Sequence, residues 1–227
     1  MGIVAQAWII AVERLGGDSD TAAATGTELE ARYAEPHRSY HDAAHIRAVL
    51  RDSAQLARDT GLDGTDYAVV MLAACAHDVV YGADPGQDER ASAVWAREQL
   101  TAAGVGIEHI DRVDLIVQAT AGHHATDDDP AAAALLDADL AVLASSADDY
   151  ASYVAAVRTE YAAATQEQWR TGRTAVLAAL LDRTSLYATE AARTAWEADA
   201  RRNVQAELET LATPPGTASA DADPLTP

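Results

Sequence analysis

The chain has 227 residues, 49% of them hydrophobic, and sets 36 Asp and Glu against 16 Lys and Arg, a formal net charge of -20. That length and apolar content predict one well-buried domain. Acidity spread along the whole chain opposes binding to a nucleic acid polymer or an anionic membrane surface, which leaves a small diffusible molecule as the expected partner.

The single cysteine, Cys75, excludes an internal disulfide and predicts a reducing, cytoplasmic setting. No apolar run reaches the ~20 residues of a membrane span. Periods near 3.6 outnumber periods of two from end to end, and phenylalanine is absent, so the expected fold is all-α. Helices are expected near 3–15, stopped by Gly16-Gly17, and near 20–34, stopped before Pro36. A third, near 42–59, carries Ile46, Val49, Leu50, Ala54 and Ala57 on one face and closes at Gly61. The fourth delivers the stretch MLAACAHDVVY, Met71 to Tyr81, in which an uncharged run meets His77 and Asp78 before Val79 and Val80 resume it. GADPGQDE reads as a loop, with Asp88 and Glu89 placed to meet the dipole of the next helix. Helices near 89–103 and from Ile107 through Ile110, Val113, Val117 and Thr120 lead to Gly122-His123-His124. Four more are expected near 131–144, 147–164, 166–183 and 189–212, with Tyr150, Tyr153, Val154, Val157 and Tyr161 as a core stripe. Residues 1–212 thus make one domain, and 213–227, Pro- and Ala-rich without an apolar period, are expected to be disordered.

An unpartnered carboxylate in a core costs several kcal/mol, so the pair His77-Asp78 needs a hydrogen-bond network or a cation. His41 and His45 are four apart and share a helix face. His45, deeper in the helix, is the better ligand, and His41, at the first turn, the better proton donor. In LLDADLAVL, Asp139 shares a face with Leu135, Leu136, Val142 and Leu143, whereas Asp137 lies roughly 200° around at ~100° per residue, so Asp139 is expected to point inward. One cation explains both anomalies. His45, His77, Asp78 and Asp139 offer two imidazoles and two carboxylates, which suits a six-coordinate divalent ion (Mn, Fe, Co, Ni or Mg) better than a closed tetrahedral zinc site.

In this order, His45, then His77-Asp78, then Asp139, the chain resembles the H…HD…D signature of the HD-domain metal-dependent phosphohydrolases. PHRSYHDAAH, AHDVVY followed by DERASA, and DADLAVL are similar to a group of bacterial predicted HD phosphohydrolases, and EYAAATQEQWRTGRTAVLAALL and ARRNVQAELETL extend the likeness over roughly residues 25–212. The resemblance implies a single HD-type helical bundle around a central site for one or two metals, a small phosphate ester such as a nucleotide as substrate, and a homodimer. Tyr40-His41-Asp42-Ala43-Ala44-His45 is similar to the Tyr-His-Asn-x-x-His pattern of related cyclic-nucleotide phosphodiesterases, with Asp42 in place of Asn. In that pattern the first His is the acid and the second a ligand. His41 and Asp78 are therefore the expected catalytic residues, Asp78 serving as a ligand as well. Attack by metal-activated water builds negative charge at phosphorus, which cationic side chains must meet. Arg38 is the first candidate for that contact, followed by His123 and His124.

Three other readings compete. Some HD-domain relatives are diiron oxygenases with two further histidines between the HD pair and the last Asp, for which His109, His123 and His124 are the candidates. HDAAH mimics the H-E-x-x-H of metalloproteases, but Asp is one methylene short and no third ligand follows. A binding protein that keeps the pocket without turnover is the third.

Overall fold

The computed structural model describes residues 1–82, 84, 86–123 and 129–213. After α1 (Ile3–Arg14), most helices start where a short polar side chain satisfies backbone N–H groups that the first turn leaves free. Asp18 accepts from Thr21 N ahead of α2 (Ser19–Arg32), Asp42 from Ala44 N and His45 N ahead of α3 (Ala43–Asp59), and Asp63 from Thr65 N and Asp66 N ahead of α4 (Gly64–Ala76). α5 (Asp88–Ala102) and α6 (Ile107–Ala119) begin without such a cap. Asp129 caps α7 (Pro130–Asp139), whose first residue is a proline, and Ser146 caps α8 (Ala147–Glu160). Thr165 and Gln168 form a reciprocal capping box on α9 (Gln166–Leu181), and Thr189 caps α10 (Glu190–Ala212). Gly61 and Gly104, at φ +71° and +75°, stop α3 and α5 in the left-handed conformation that glycine adopts without steric cost. Among the described residues there is no strand, and the expectation of an all-α fold holds.

Every residue of α4 from Ala68 to Ala76 is buried. A helix apolar on all sides must be enclosed, and α1, α3, α5, α6 and α7 pack around this one. Trp8, Tyr33, Leu72, Leu100, Ile116 and Leu135 are among the large side chains withdrawn from water around it, each stabilising the fold by about 1.5–3 kcal/mol. Tyr33 keeps its hydroxyl satisfied by donating to the Cys75 carbonyl at 2.8 Å. α10 packs on α9 and on the chain that follows α7, and touches α3.

The structure differs from the sequence expectation at two places. The helix expected over 131–144 ends at Asp139 and continues as a 3-10 turn, Leu140–Ala144. There the Tyr187 hydroxyl donates to the Leu140 carbonyl at 3.1 Å, and the Asn203 amide donates to the Leu143 and Ser145 carbonyls at 2.9 Å each. Ile107, expected in the apolar stripe of α6, is 61% exposed, whereas Ile110, Val113, Val117 and Thr120 are buried. The stretch 213–227, expected to be disordered, lies outside the described residues beyond Thr213. Among the described residues, no single helix is long and apolar enough to cross a membrane.

Candidate metal centre

Three helix ends converge. His45 stands in the first turn of α3, His77 and Asp78 follow the last residue of α4, and Asp139 is the last residue of α7. His45 Nε2 lies 3.3 Å from Asp78 Oδ2 and 3.2 Å from Asp139 Oδ1. His77 Nε2 lies 3.1 Å from the same Asp78 oxygen and 3.5 Å from the same Asp139 oxygen, and the two imidazole Nε2 atoms are 3.4 Å apart. The His45 side chain is 4% exposed and that of His77 fully buried. His45, His77 and Asp139 thus form a group whose ligand atoms fall within 4.8 Å of one another, and Asp78 joins them by its distances to both imidazoles.

The chemistry of this donor set fits a divalent cation. Donors bonded at ~2.1 Å stand about 3.0 Å apart at right angles and about 3.4 Å apart at the tetrahedral angle, the range found here. His77 Nδ1 donates to the Ala74 carbonyl at 3.0 Å, an assignment made from its partner, so that Nε2 presents a lone pair to the cluster in the neutral ring. Two such lone pairs and two carboxylate oxygens cannot share so small a space without positive charge between them. In the ion-free protein, protons supply that charge. Burial disfavours the imidazolium of His45, but the hydrogen bonds and charges of Asp139 and Asp78 outweigh it and raise the group to about 9. Burial likewise penalises the charge on Asp78 and Asp139, and the neighbouring imidazoles overcome it, holding both carboxyls well below the usual range.

His41 lies outside α3, before the Asp42 cap, not in the first helical turn as the spacing suggests. Its ring nevertheless comes within 5.5 Å of that of His45, centroid to centroid, and stacks on Tyr81 at 4.3 Å. Glu160, at the end of α8, holds it there. Oε2 of Glu160 accepts from His41 Nδ1 at 2.7 Å and from the Tyr81 hydroxyl at 2.9 Å, while Oε1 accepts the backbone N–H groups of Ser39, Tyr40 and His41 at 2.7–3.0 Å. Burial would raise the Glu160 carboxyl, but these donors and the charge of His41 bring it down to about 2. Sequence reasoning missed Glu160, although the signal was present: it lies three residues after Val157 and seven after Tyr153, on the apolar face of α8.

Arg38 does not stand where a phosphate contact requires. Its side chain is fully buried, with Nε donating to Glu35 at 3.2 Å, Nη1 to the His41 and Asp78 carbonyls at 3.0 and 2.8 Å, and Nη2 to the Val79 carbonyl at 3.0 Å. It clamps the chain carrying His41 to the chain carrying Asp78. His123 does reach the cluster, its Nε2 lying 2.7 Å from Asp139 Oδ2. Its backbone is left-handed, φ +49°, a conformation that histidine visits more readily than most residues. Arg183 braces that turn by donating to the Gly122 and His123 carbonyls at 2.8 Å each. His124 lies outside the described residues. Asp137, expected to face away from the interior, is 2% exposed, because its two oxygens accept the Ala188 and Thr189 N–H groups at 2.7 Å each. Asp88 and Glu89 tie down their own loop, accepting from Gly82, Asp84 and Gly86 N–H groups. Tyr153, read as core stripe, is partly buried against the core, and it also stacks edge-on against Tyr40 at 4.7 Å and accepts from Arg173 at 3.1 Å.

Two open spaces meet at Asp139. One is a cleft of about 120 Å³ lined by His41, Asp78, Tyr81, Glu89, His123 and Asp139 among others. The other is a groove of about 580 Å³ that reaches His45 and Asp139 between α3 and α8. No protein-family model matches the chain, and neither a curated protein nor a solved structure does.

Proposed function

We propose that the protein is a metal-dependent phosphohydrolase acting on a small phosphate ester. The observation that carries this reading is that the His45 and His77 imidazoles each lie 3.1–3.5 Å from carboxylate oxygens of both Asp78 and Asp139, with His41 lining the cleft beside Asp78 and Asp139. The sequence order shared with HD-domain phosphohydrolases supports it. Those four residues would hold a divalent ion drawn from Mn, Fe, Co, Ni or Mg. Such an ion supplies Lewis acidity and lowers the pKa of a water it holds from about 15.7 toward about 7.

The chain's own residues account for proton handling. Because Glu160 is ionised and accepts a hydrogen bond from His41 Nδ1–H, Nε2 is the nitrogen left to exchange a proton with the leaving oxygen. Glu160 is thus a positioning residue and His41 the acid. His123, hydrogen-bonded to Asp139, keeps that ligand's second oxygen occupied and orients the first toward the imidazoles.

Metal analysis of the purified protein, followed by a phosphate-release screen over phosphomonoesters and mono-, di- and triphosphate nucleotides with Mn, Co, Mg and Ni, tests the reading. Release of phosphate with a bound divalent ion, both lost in Asp78→Ala, is the expected result. Wild-type turnover in Asp78→Ala, or no hydrolysis of any ester with any ion, overturns it. The diiron oxygenase alternative would build its second site on His123. Oxygen consumption by an iron-loaded preparation that releases no phosphate would select it. His109, whose ring lies 3.6 Å from Glu108 at the start of α6, does not line the cleft.

A further inference from the structure

Resting on the phosphohydrolase reading, we infer that the groove between α3 and α8 holds the organic group of the substrate, which makes the substrate a monoester of a flat, uncharged alcohol and not a polyphosphate. The groove shares His45 and Asp139 with the metal group, so a molecule lying in it has one end at the cluster. Beside three serines and a few charged groups, its walls are apolar and aromatic: Tyr40 and Tyr153, Val49 and Val142, and Trp196 at the α10 end, with alanines of α3, α8 and the 3-10 turn leaving the space between them. At about 580 Å³ it falls within the ordinary range of small-molecule sites. Rings at its walls favour a planar occupant stacked or edge-on against them.

Charge decides the rest. The charged groups that line the groove already have partners. Asp42 accepts the Ala44 and His45 N–H groups, Asp52 forms a two-point pair with Arg51, and Asp149 accepts from the Ser146 hydroxyl. All 16 Lys and Arg positions of the chain are arginines. Arg51, which lines the groove, is paired with Asp52, Arg173 beside Tyr153 is held by Glu207, and three more near the site are engaged on carbonyls. Arg38 holds those of His41, Asp78 and Val79, Arg158 those of Tyr161 and Ala164, and Arg183 those of Gly122 and His123. No arginine is among the described residues lining the cleft, whose ionisable groups besides His41 and His123 are acidic or tyrosyl. A terminal phosphate carrying about two negative charges is matched by one divalent ion, whereas the further phosphates of a di- or triphosphate would face carboxylates.

The test compares 2-naphthyl phosphate, methyl phosphate and inorganic tripolyphosphate on the Mn-loaded protein, in the wild type and in Ala48→Trp and Ala156→Trp, which fill the groove from opposite walls. Two variants keep the experiment decisive if one fails to fold. Naphtholate is the better leaving group in any protein, so the change in ratio is the readout: each folded variant should lower the wild type's naphthyl-to-methyl ratio of kcat/KM by roughly tenfold. Calorimetric titration of 2-naphthol into ion-free protein should show binding in the wild type that weakens in the variants. Equal kcat/KM for the two esters, a ratio unmoved by either variant, or tripolyphosphate as the best substrate overturns the inference and leaves the hydrolase reading standing. No phosphate from any of the three sinks both.

Discussion

Glu160 and His41 are 119 residues apart in sequence and 2.7 Å apart in space, and the contact fixes which imidazole nitrogen faces the cleft. Replacing Glu160 by Gln removes the charge opposite Nδ1. Turnover of a phosphate ester should fall roughly 10- to 100-fold while bound metal is kept, as read by kinetics alongside metal analysis. Loss of metal together with turnover would mean that Glu160 holds the ligand cluster itself.

The same carboxylate sets a pH dependence. Its folded value, about 2, lies below the ordinary 4.5, so its contribution is complete above about pH 4.5 and is lost as pH falls toward 2. Discounted for solvent screening, that contribution is about 1–2 kcal/mol. Urea midpoints of wild type and Glu160→Gln should therefore differ most near neutrality and converge toward pH 2. A gap that stays constant with pH would sink the assignment.

Occupation of the cluster should stabilise the fold. An ion at a hundredfold excess over its Kd adds about 2.7 kcal/mol, or roughly 5 to 10 °C in Tm for a chain of this size. Thermal denaturation with and without Mn should show that rise in the wild type and none in His77→Ala or Asp139→Ala. A rise preserved in both variants would place the ion elsewhere.

His41→Ala should keep the metal and slow hydrolysis by roughly 10²- to 10⁴-fold, whereas His45→Ala should lose the metal. The opposite pattern in metal analysis would exchange their roles.

Arg38→Met should act on stability and not on phosphate affinity. Three carbonyls would lose charged donors in a buried setting, a cost of at least about 3 kcal/mol by chemical denaturation. A variant of unchanged stability with a raised KM would return Arg38 to the substrate.

The fold class and the cluster were legible in the sequence because both rest on local pattern. A polar group in an apolar period is visible wherever the period is, which is how His77, Asp78, Asp139 and His45 stood out. The same rule misplaced Asp137. Periodicity assigns a face to a side chain without knowing what covers that face, and the N–H groups of Ala188 and Thr189, some 50 residues away, cover this one. Arg38 misled for the opposite reason: a cation next to a site looks free until the carbonyls that engage it are known. Glu160 obeyed the apolar-face rule and was passed over among the tyrosines of α8, whose partners only the tertiary structure supplies.

The enclosure of α4 gives distant mutations a route to the candidate metal centre. A rod gripped along its whole length and carrying His77 and Asp78 at the tip converts a loosening of the grip into a displacement of the tip. Leu72→Ala, five residues before His77 at a site with no exposed surface, should therefore weaken ion affinity while the chain is still folded. On the proposed function, selection on the ion site would then police the packing of alanines and valines that never meet the ion.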